Sequence, residues 1–294
     1  MFDLGSTLRI LRPAPKVIGF YDGRIDGLRA HGPGENWLDD GAFALGVCTY
    51  AVVDGGEALV YDTHVSLAHA RAIRARLAAE GARVKYVVLS HWHVDHVAGN
   101  EVFADGPILA NRLTAELLAA HRAELEADDP PIRPLVMPNE IFDDDFTLTI
   151  GGTTVEVRRL DIHSIDGTVL LLPEAGLLLA GDTLEDPVTY VAEPARLAEH
   201  LRDLDRLETW DFARVLPNHG AEEVIAAGGY DRRLVAATRR YVERLLDAER
   251  AVGPLSDFIA EDLASGAVRY FAPYEAVHRR NLADVRGEAL VPRE

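Results

Sequence analysis

The tightest constraint in this chain is the run His91-Trp92-His93-Val94-Asp95-His96, which follows directly on the almost wholly apolar segment Val84–Leu89. A short apolar run of this kind is the pattern of a strand covered on both faces. It delivers four ligand-type side chains to one strand end. In extended chain, residues two apart point the same way, so His91 and His93 can converge on one ion, while Asp95 and His96 turn toward a second position. Imidazole nitrogen and carboxylate oxygen without thiolate suit zinc, iron or manganese. At this chain's own His and Asp frequencies such a hexamer would arise by chance roughly once in a thousand proteins of this length.

Three further ligand-type residues fall at the ends of expected strands. His163 follows Val155–Ile162, Asp182 follows Leu177–Gly181, and His219 follows Val215–Leu216. Carboxyl ends of strands are where α/β folds collect their sites, so a merely histidine-rich loop is a poor account of all seven.

Around these points the pattern alternates strand and helix. Ala44–Val53, the turn Asp54-Gly55-Gly56-Glu57 and Ala58–Tyr61 read as a hairpin. Ser66–Glu80 reads as a helix with Leu67, Ala70, Ile73 and Leu77 on one face and Gly81 at its end. Pro107–Ala110 reads as a strand, Asn111–Ala127 as a helix and the proline-rich Asp128–Pro138 as a loop. Three or four strands follow from Phe146, then a helix over Pro194–Leu207 and a strand over Ala213–Leu216. Residues 230–285 read as helix, broken at Gly253-Pro254. The sum is a layered α/β sandwich, residues 1–228, with a C-terminal helical extension, residues 229–294, packed on the same domain.

Composition narrows the function classes. With 48% hydrophobic and 27% charged residues the chain can bury a core large enough for a rigid site. Cys48 is the only cysteine, so no intrachain disulfide and no cysteine-ligated zinc knuckle can form. The net charge of −18 disfavours nucleic acid and anionic membrane as partners and leaves a small-molecule substrate as the expectation. No apolar stretch approaches 18 residues, and the first seventeen residues lack a secretory pattern, so a cytoplasmic location is expected.

Taken together, these motifs resemble the metallo-β-lactamase-fold superfamily over roughly residues 15–225, in its glyoxalase II and lactonase-like branch. The resemblance implies a four-layer αββα sandwich with the metals at one edge between two sheets. It implies His91, His93 and His163 as ligands of a first metal, Asp95, His96 and His219 as ligands of a second, and Asp182 as the carboxylate bridging both. Asp62, in Val60-Tyr61-Asp62-Thr63-His64, matches the aspartate that supports such a site from behind, and His64 lies close enough to join it. Two divalent ions, zinc first and iron or manganese as alternatives, would share a hydroxide whose pKa falls from ~16 toward ~7. Asp95 could also orient that nucleophile or move its proton, which makes it the candidate catalytic residue.

The expected activity is hydrolysis of a small ester, thioester or lactone. Asp182 argues against a true β-lactamase, and His93 against the electron-transferring di-iron branch. His163-Ser164-Ile165-Asp166-Gly167 departs from the family's usual Pro-Gly turn, Val97-Ala98-Gly99-Asn100 replaces its double glycine, and Thr183-Leu184-Glu185 stands where lactonases often carry a tyrosine. A single-iron persulfide-oxidising enzyme, a nucleotide phosphodiesterase and a scaffold that kept the fold are the rival readings. Trp37, in the loop Gly34–Trp37, and Tyr190 are candidate substrate walls. His31, His69, His121 and His200 read as structural residues in loops or on polar helix faces, Cys48 as core, and Asp143–Asp145 as a solvated turn. Tyr274, Glu275 and His278, at helical spacing, read as a solvated face, with a cap over the site or a homodimer contact as the alternative.

Overall fold

The structure, a computed structural model, describes residues 3–247 and 252–287. Its first sheet takes β1 (Arg9–Ala14), β2 (Val17–Asp22), β3 (Val47–Asp54), β4 (Glu57–Tyr61), β5 (Arg83–Val88), β6 (Ile108–Asn111) and β7 (Glu140–Phe142) in sequence order. Pairing is antiparallel as far as β4 and parallel from β4 to β7. The second sheet runs β13-β12-β11-β10-β9-β8, from β8 (Phe146–Ile150), β9 (Thr153–Arg159), β10 (Thr168–Leu172), β11 (Leu177–Gly181), β12 (Arg214–Pro217) and β13 (Tyr230–Asp231). Only β11 and β12 pair in parallel there.

The two-residue period of the strands sorts side chains between two cores. Tyr50 and Val52 of β3, Leu59 and Tyr61 of β4 and Val88 of β5 face the core shared with the second sheet. Ala51, Ala58, Val60 and Val87 face the opposite way, onto α1 (Leu67–Ala79). That helix starts where Ser66 Oγ accepts the His69 backbone N–H, and buries Ala70, Ile73 and Leu77 in one stripe. Ile73 and Leu77 each contribute about 1.5–3 kcal/mol by leaving water. The helix expected over 111–127 forms as two pieces, α3 (Arg112–Ala120) and α4 (Arg122–Leu125), which meet at His121 and follow the single turn α2 (Val94–Val97).

The strands β10 and β11 are buried along their whole length, because α5 (Leu197–Glu208) and the helices beyond it close the second sheet's outer face. The layers are therefore helix, sheet, sheet, helix, the expected αββα sandwich. After α6 (Glu222–Ala226), the helix expected from residue 230 does not begin there: Tyr230–Asp231 pairs with β12 and forms the edge strand of the second sheet. Helices α7 (Arg233–Leu246), α8 (Leu255–Phe258), α9 (Ala260–Ser265) and α10 (Tyr274–Arg286) follow; residues 248–251 of the expected helical stretch, and 288–294, lie outside the described residues. Leu234, Tyr241, Leu245, Phe258 and Tyr274 belong to the same core as both sheets.

Several other expectations need correction. The strands β1 and β2 lie where no element was expected, and Trp37 opens a π-helical turn, Trp37–Phe43, instead of lying in a loop. Tyr274 and His278 are fully buried, because one face of α10 packs onto Tyr241 and the segment after β11. Glu275 is engaged too, accepting from the Leu255 backbone N–H and Tyr270 Oη. His69 and His200 are buried instead of lying on polar surfaces. Cys48 is buried in β3, and Asp143–Asp145 is an exposed turn, both as expected.

Candidate metal centre

Four strand ends and one turn converge on a single edge of the sandwich. β5 runs into Ser90–His93, after which α2 carries Asp95 and His96. β11 ends at Gly181 and presents Asp182; β12 ends at Pro217 and presents His219. His163 sits in the turn between β9 and β10, closed by the bridge of Ile162 to Ser164. Asp62 follows β4. The backbone at Asp62, His64 and His163 has φ near +68°, a region L-residues avoid at a cost of about 1–3 kcal/mol, which concentrates strain beside the cluster.

The seven residues separate into two groups of ligand atoms. His91, His93 and His163 form the first; Asp95, His96, Asp182 and His219 form the second, all atoms in each group within 4.8 Å of one another. His93 Nδ1 lies 2.9 Å from His91 Nε2 and 3.0 Å from His163 Nε2. Three nitrogens on a tetrahedral zinc stand about 3.3–3.4 Å apart given Zn–N bonds of about 2.0–2.1 Å, so this triangle is of nearly the right size. Asp182 Oδ2 lies between the groups, 3.1 Å from His96 Nε2, 3.3 Å from His219 Nε2, 3.6 Å from His91 Nε2 and 3.8 Å from His163 Nε2.

The outer ring nitrogens fix the tautomers. His163 Nδ1 donates to Tyr190 O at 2.9 Å and His219 Nδ1 donates to Gly46 O at 2.7 Å; a carbonyl only accepts, so the proton is on Nδ1 and Nε2 offers its lone pair. His96 Nδ1 donates to Asp62 Oδ2 at 2.9 Å, and His91 Nδ1 faces Ser90 Oγ at 2.9 Å. Lone pairs of His96 and His219 then point at Asp182 Oδ2 and at Asp95, 3.4 Å and 3.1 Å away. Lone pairs facing carboxylates repel unless a cation lies among them. Protons fill that role when no metal does: against the cost of burial, the surrounding carboxylates push His96 and His219 well up. The same imidazolium charges hold Asp95 and Asp182 low despite burial. Burial and neighbouring imidazoles push His91 down, and His93 to about 3, so both stay neutral and ready to ligate. Asp182 Oδ1 is buried and has no hydrogen-bond partner. The donor set, the tautomers and this unpartnered oxygen all fit two divalent cations.

Asp62 lies directly behind the second group. Its Oδ1 accepts the Ser90 backbone N–H, and its Oδ2 accepts Ser90 Oγ–H, Asn218 Nδ2–H and the His96 Nδ1 proton. His64 joins neither group. It stacks on His69 with ring centroids 4.3 Å apart, and its Nδ1 accepts the Val65 N–H. Trp37 donates its indole N–H to Pro130 O and packs among partly buried apolar residues near α2. The Tyr190 ring centroid stands 6.0 Å from that of His163, with the Arg280 guanidinium over its face.

Sequence reasoning passed over Ser90, Asn218 and Glu185. Ser90 and Asn218 flank ligands by one residue, which was the available signal; Glu185 carried none. Asp161, Glu193 and His200 also bring ligand atoms together, but Arg196 already lies against both carboxylates and supplies their countercharge.

The match to known proteins agrees with this geometry. Among solved structures, the metallo-beta-lactamase from Pontibacter korlensis superposes with a TM-score of 0.62 at 20% identity, covering 80% of this chain and 99% of its own, a likeness of fold. Curated relatives include "Beta-lactamase-like protein 2 homolog" of Caenorhabditis elegans, 25% identical over 72% of this chain and 66% of its own length. A second is "Atrochrysone carboxyl ACP thioesterase" of Aspergillus fumigatus, 26% identical over 98% of this chain and 84% of its own length. The chain thus spans just under two thirds of the nematode relative. The description "Metallo-beta-lactamase superfamily" matches residues 43–239, and the chain belongs to that superfamily of metal-dependent hydrolases.

Proposed function

We propose that the protein is a two-metal hydrolase of small thioesters, esters or lactones, with zinc as its metal and the cytoplasm as its location. The observation that supports this most directly is the placing of Asp182 Oδ2 within 3.8 Å of imidazole nitrogens from both ligand groups. The thioesterase name of the A. fumigatus relative, which aligns with nearly the whole chain, favours the thioester among these substrates.

When bound, two cations supply a water of lowered pKa and Lewis acidity toward the carbonyl under attack. The chain's own groups do the rest. His91, His93 and His163 present ring nitrogens on one side, Asp95, His96 and His219 stand on the other, and Asp182 faces both. Asp95, buried except for 12% of its side chain, is placed to hold the proton of an attacking water. Asp62 and the carbonyls of Gly46 and Tyr190 hold the ring planes in place, so little reorganisation accompanies the reaction.

Metal content per chain, measured on protein purified without chelators and beside hydrolysis of a thioester, ester and lactone panel, tests the reading. Close to two zinc ions, with at least a hundredfold loss of hydrolysis in His93→Ala and Asp182→Ala, is the expected result. One iron with no hydrolysis would overturn it.

A further inference from the structure

Glu185 is buried three residues beyond Asp182, with 1% of its surface exposed. Its Oε1 accepts the Tyr190 backbone N–H at 2.8 Å and lies 3.4 Å from His163 Nδ1. Its Oε2 accepts Tyr274 Oη–H at 3.1 Å, and Tyr274 is the first residue of α10. Two turns further along the same helix, Asn281 grips the other side of this segment. Its Nδ2 donates to Thr189 O at 2.9 Å and its Oδ1 accepts the Val191 N–H at 2.9 Å. Residues 189, 190 and 191 are thus each tied, directly or through Glu185, to α10.

The residue they enclose matters because Tyr190 O receives the Nδ1 proton of His163. Of the three imidazoles in the first ligand group, His163 is the one presented by the turn between β9 and β10, and the one whose backbone has a positive φ, +69°. Its direction is set by what holds Nδ1, and both acceptors within reach are parts of this clamp. The partner of a ligating histidine's outer nitrogen fixes ring plane and tautomer and adds basicity to the ligating nitrogen. Glu185 has the right chemistry for that: a buried carboxylate with no lysine or arginine within salt-bridge distance among the described residues.

We propose that Glu185 is the positioning residue for His163, and that α10, through Tyr274 and Asn281, holds it there. The C-terminal helices are then part of the metal centre's construction, acting on the first ligand group and leaving the second, whose outer contacts are Asp62 and Gly46 O, untouched. This rests on the two-metal reading above for its division into two positions.

Site-resolved zinc affinities of wild type, Glu185→Gln and Tyr274→Phe, obtained by chelator competition, are the test. Cobalt(II) spectra of the same proteins, and thermal melting of each metal-free form, accompany them. Glu185→Gln keeps shape and volume but replaces a carboxylate with an amide. The expected result is a 10- to 100-fold weaker first ion with an unchanged second, a smaller shift of the same sign in Tyr274→Phe, and an altered cobalt band for the first position only. An unchanged first ion in both variants, or equal weakening of both ions, would overturn the proposal. If Glu185→Gln melts far below wild type when metal-free, Tyr274→Phe alone decides by the same criterion. If wild type itself binds a single ion, the two-metal reading has failed; the positioning role then stands when the variants weaken that ion and falls when they do not.

Discussion

Asp62 is the residue on which most of the centre's rigidity converges. It is fully buried and accepts protons from the Ser90 backbone and hydroxyl, from Asn218 and from His96. Removing it takes the carboxylate acceptor from all of those buried donors, and a buried donor left unpaired costs about 1–3 kcal/mol. The expected outcome for Asp62→Ala is a loss of about 3–5 kcal/mol in metal-free stability. The ion held by His96 should also weaken at least tenfold. Urea denaturation and zinc titration measure the two effects, and wild-type stability with normal zinc binding would contradict this account. At the same scale the sequence was informative about ligands and silent about their supports. A His-x-His-x-Asp-His run announces chemistry by residue type, whereas Glu185 and Asn218 look like any other polar residues until the chain is folded.

At the scale of elements, the approach of α2 to the loop after β4 depends on one glycine. The His96 carbonyl accepts both the Thr63 N–H and the Thr63 hydroxyl, and a Cβ on Gly99 would lie 2.2 Å from Thr63 O and 2.5 Å from Ala70 Cβ. Both neighbours are backbone or helix atoms that cannot swing aside. Gly99→Ala should therefore cost about 2–4 kcal/mol and displace His96. Thermal melting together with zinc content checks it, and an unperturbed variant would show that α2 has slack. Elements with strong local signals, such as α1 with its Ser66 cap and β5 with its apolar run, were legible in the sequence. The hairpin of β1 and β2 was not: its turn uses Lys16 at φ +64° in place of a glycine, and Arg9 and Arg12 interrupt the apolar pattern of its outer strand.

Across the whole molecule, Asp186 ties the segment after β11 to the edge strand β13 and to the approach to α10. It accepts Tyr230 Oη–H at 2.6 Å and the Arg269 N–H at 2.6 Å. Burial pushes its carboxyl up to about 6, against a reference of 3.8. A raised acid favours the fold when protonated, so its contribution is complete below about pH 4 and is lost as pH rises through 6. The difference is roughly 3 kcal/mol at most. Asp186→Asn removes this titration. Subtracting its denaturation free energies from those of the wild type between pH 4 and 8 should give a difference that falls with pH, centred between 4 and 6. A difference independent of pH would mean that Asp186 is not held in a low-dielectric contact.

The sequence by itself determined the ligand types, their places at strand ends and the layered α/β architecture. All of these follow from residue chemistry and from periodicities of two and 3.6 residues that operate over neighbouring positions. What only the tertiary structure decided was the distances within and between the two groups, the tautomers, and the part played by the C-terminal helices. The polar sequence of α10 reads as a solvated face, and it is buried because Glu185, Thr189 and Val191 offer partners nearly a hundred residues away. Long-range polar pairing of that kind leaves no periodicity to read. It exists only once both partners have been brought together by a core that neither of them builds.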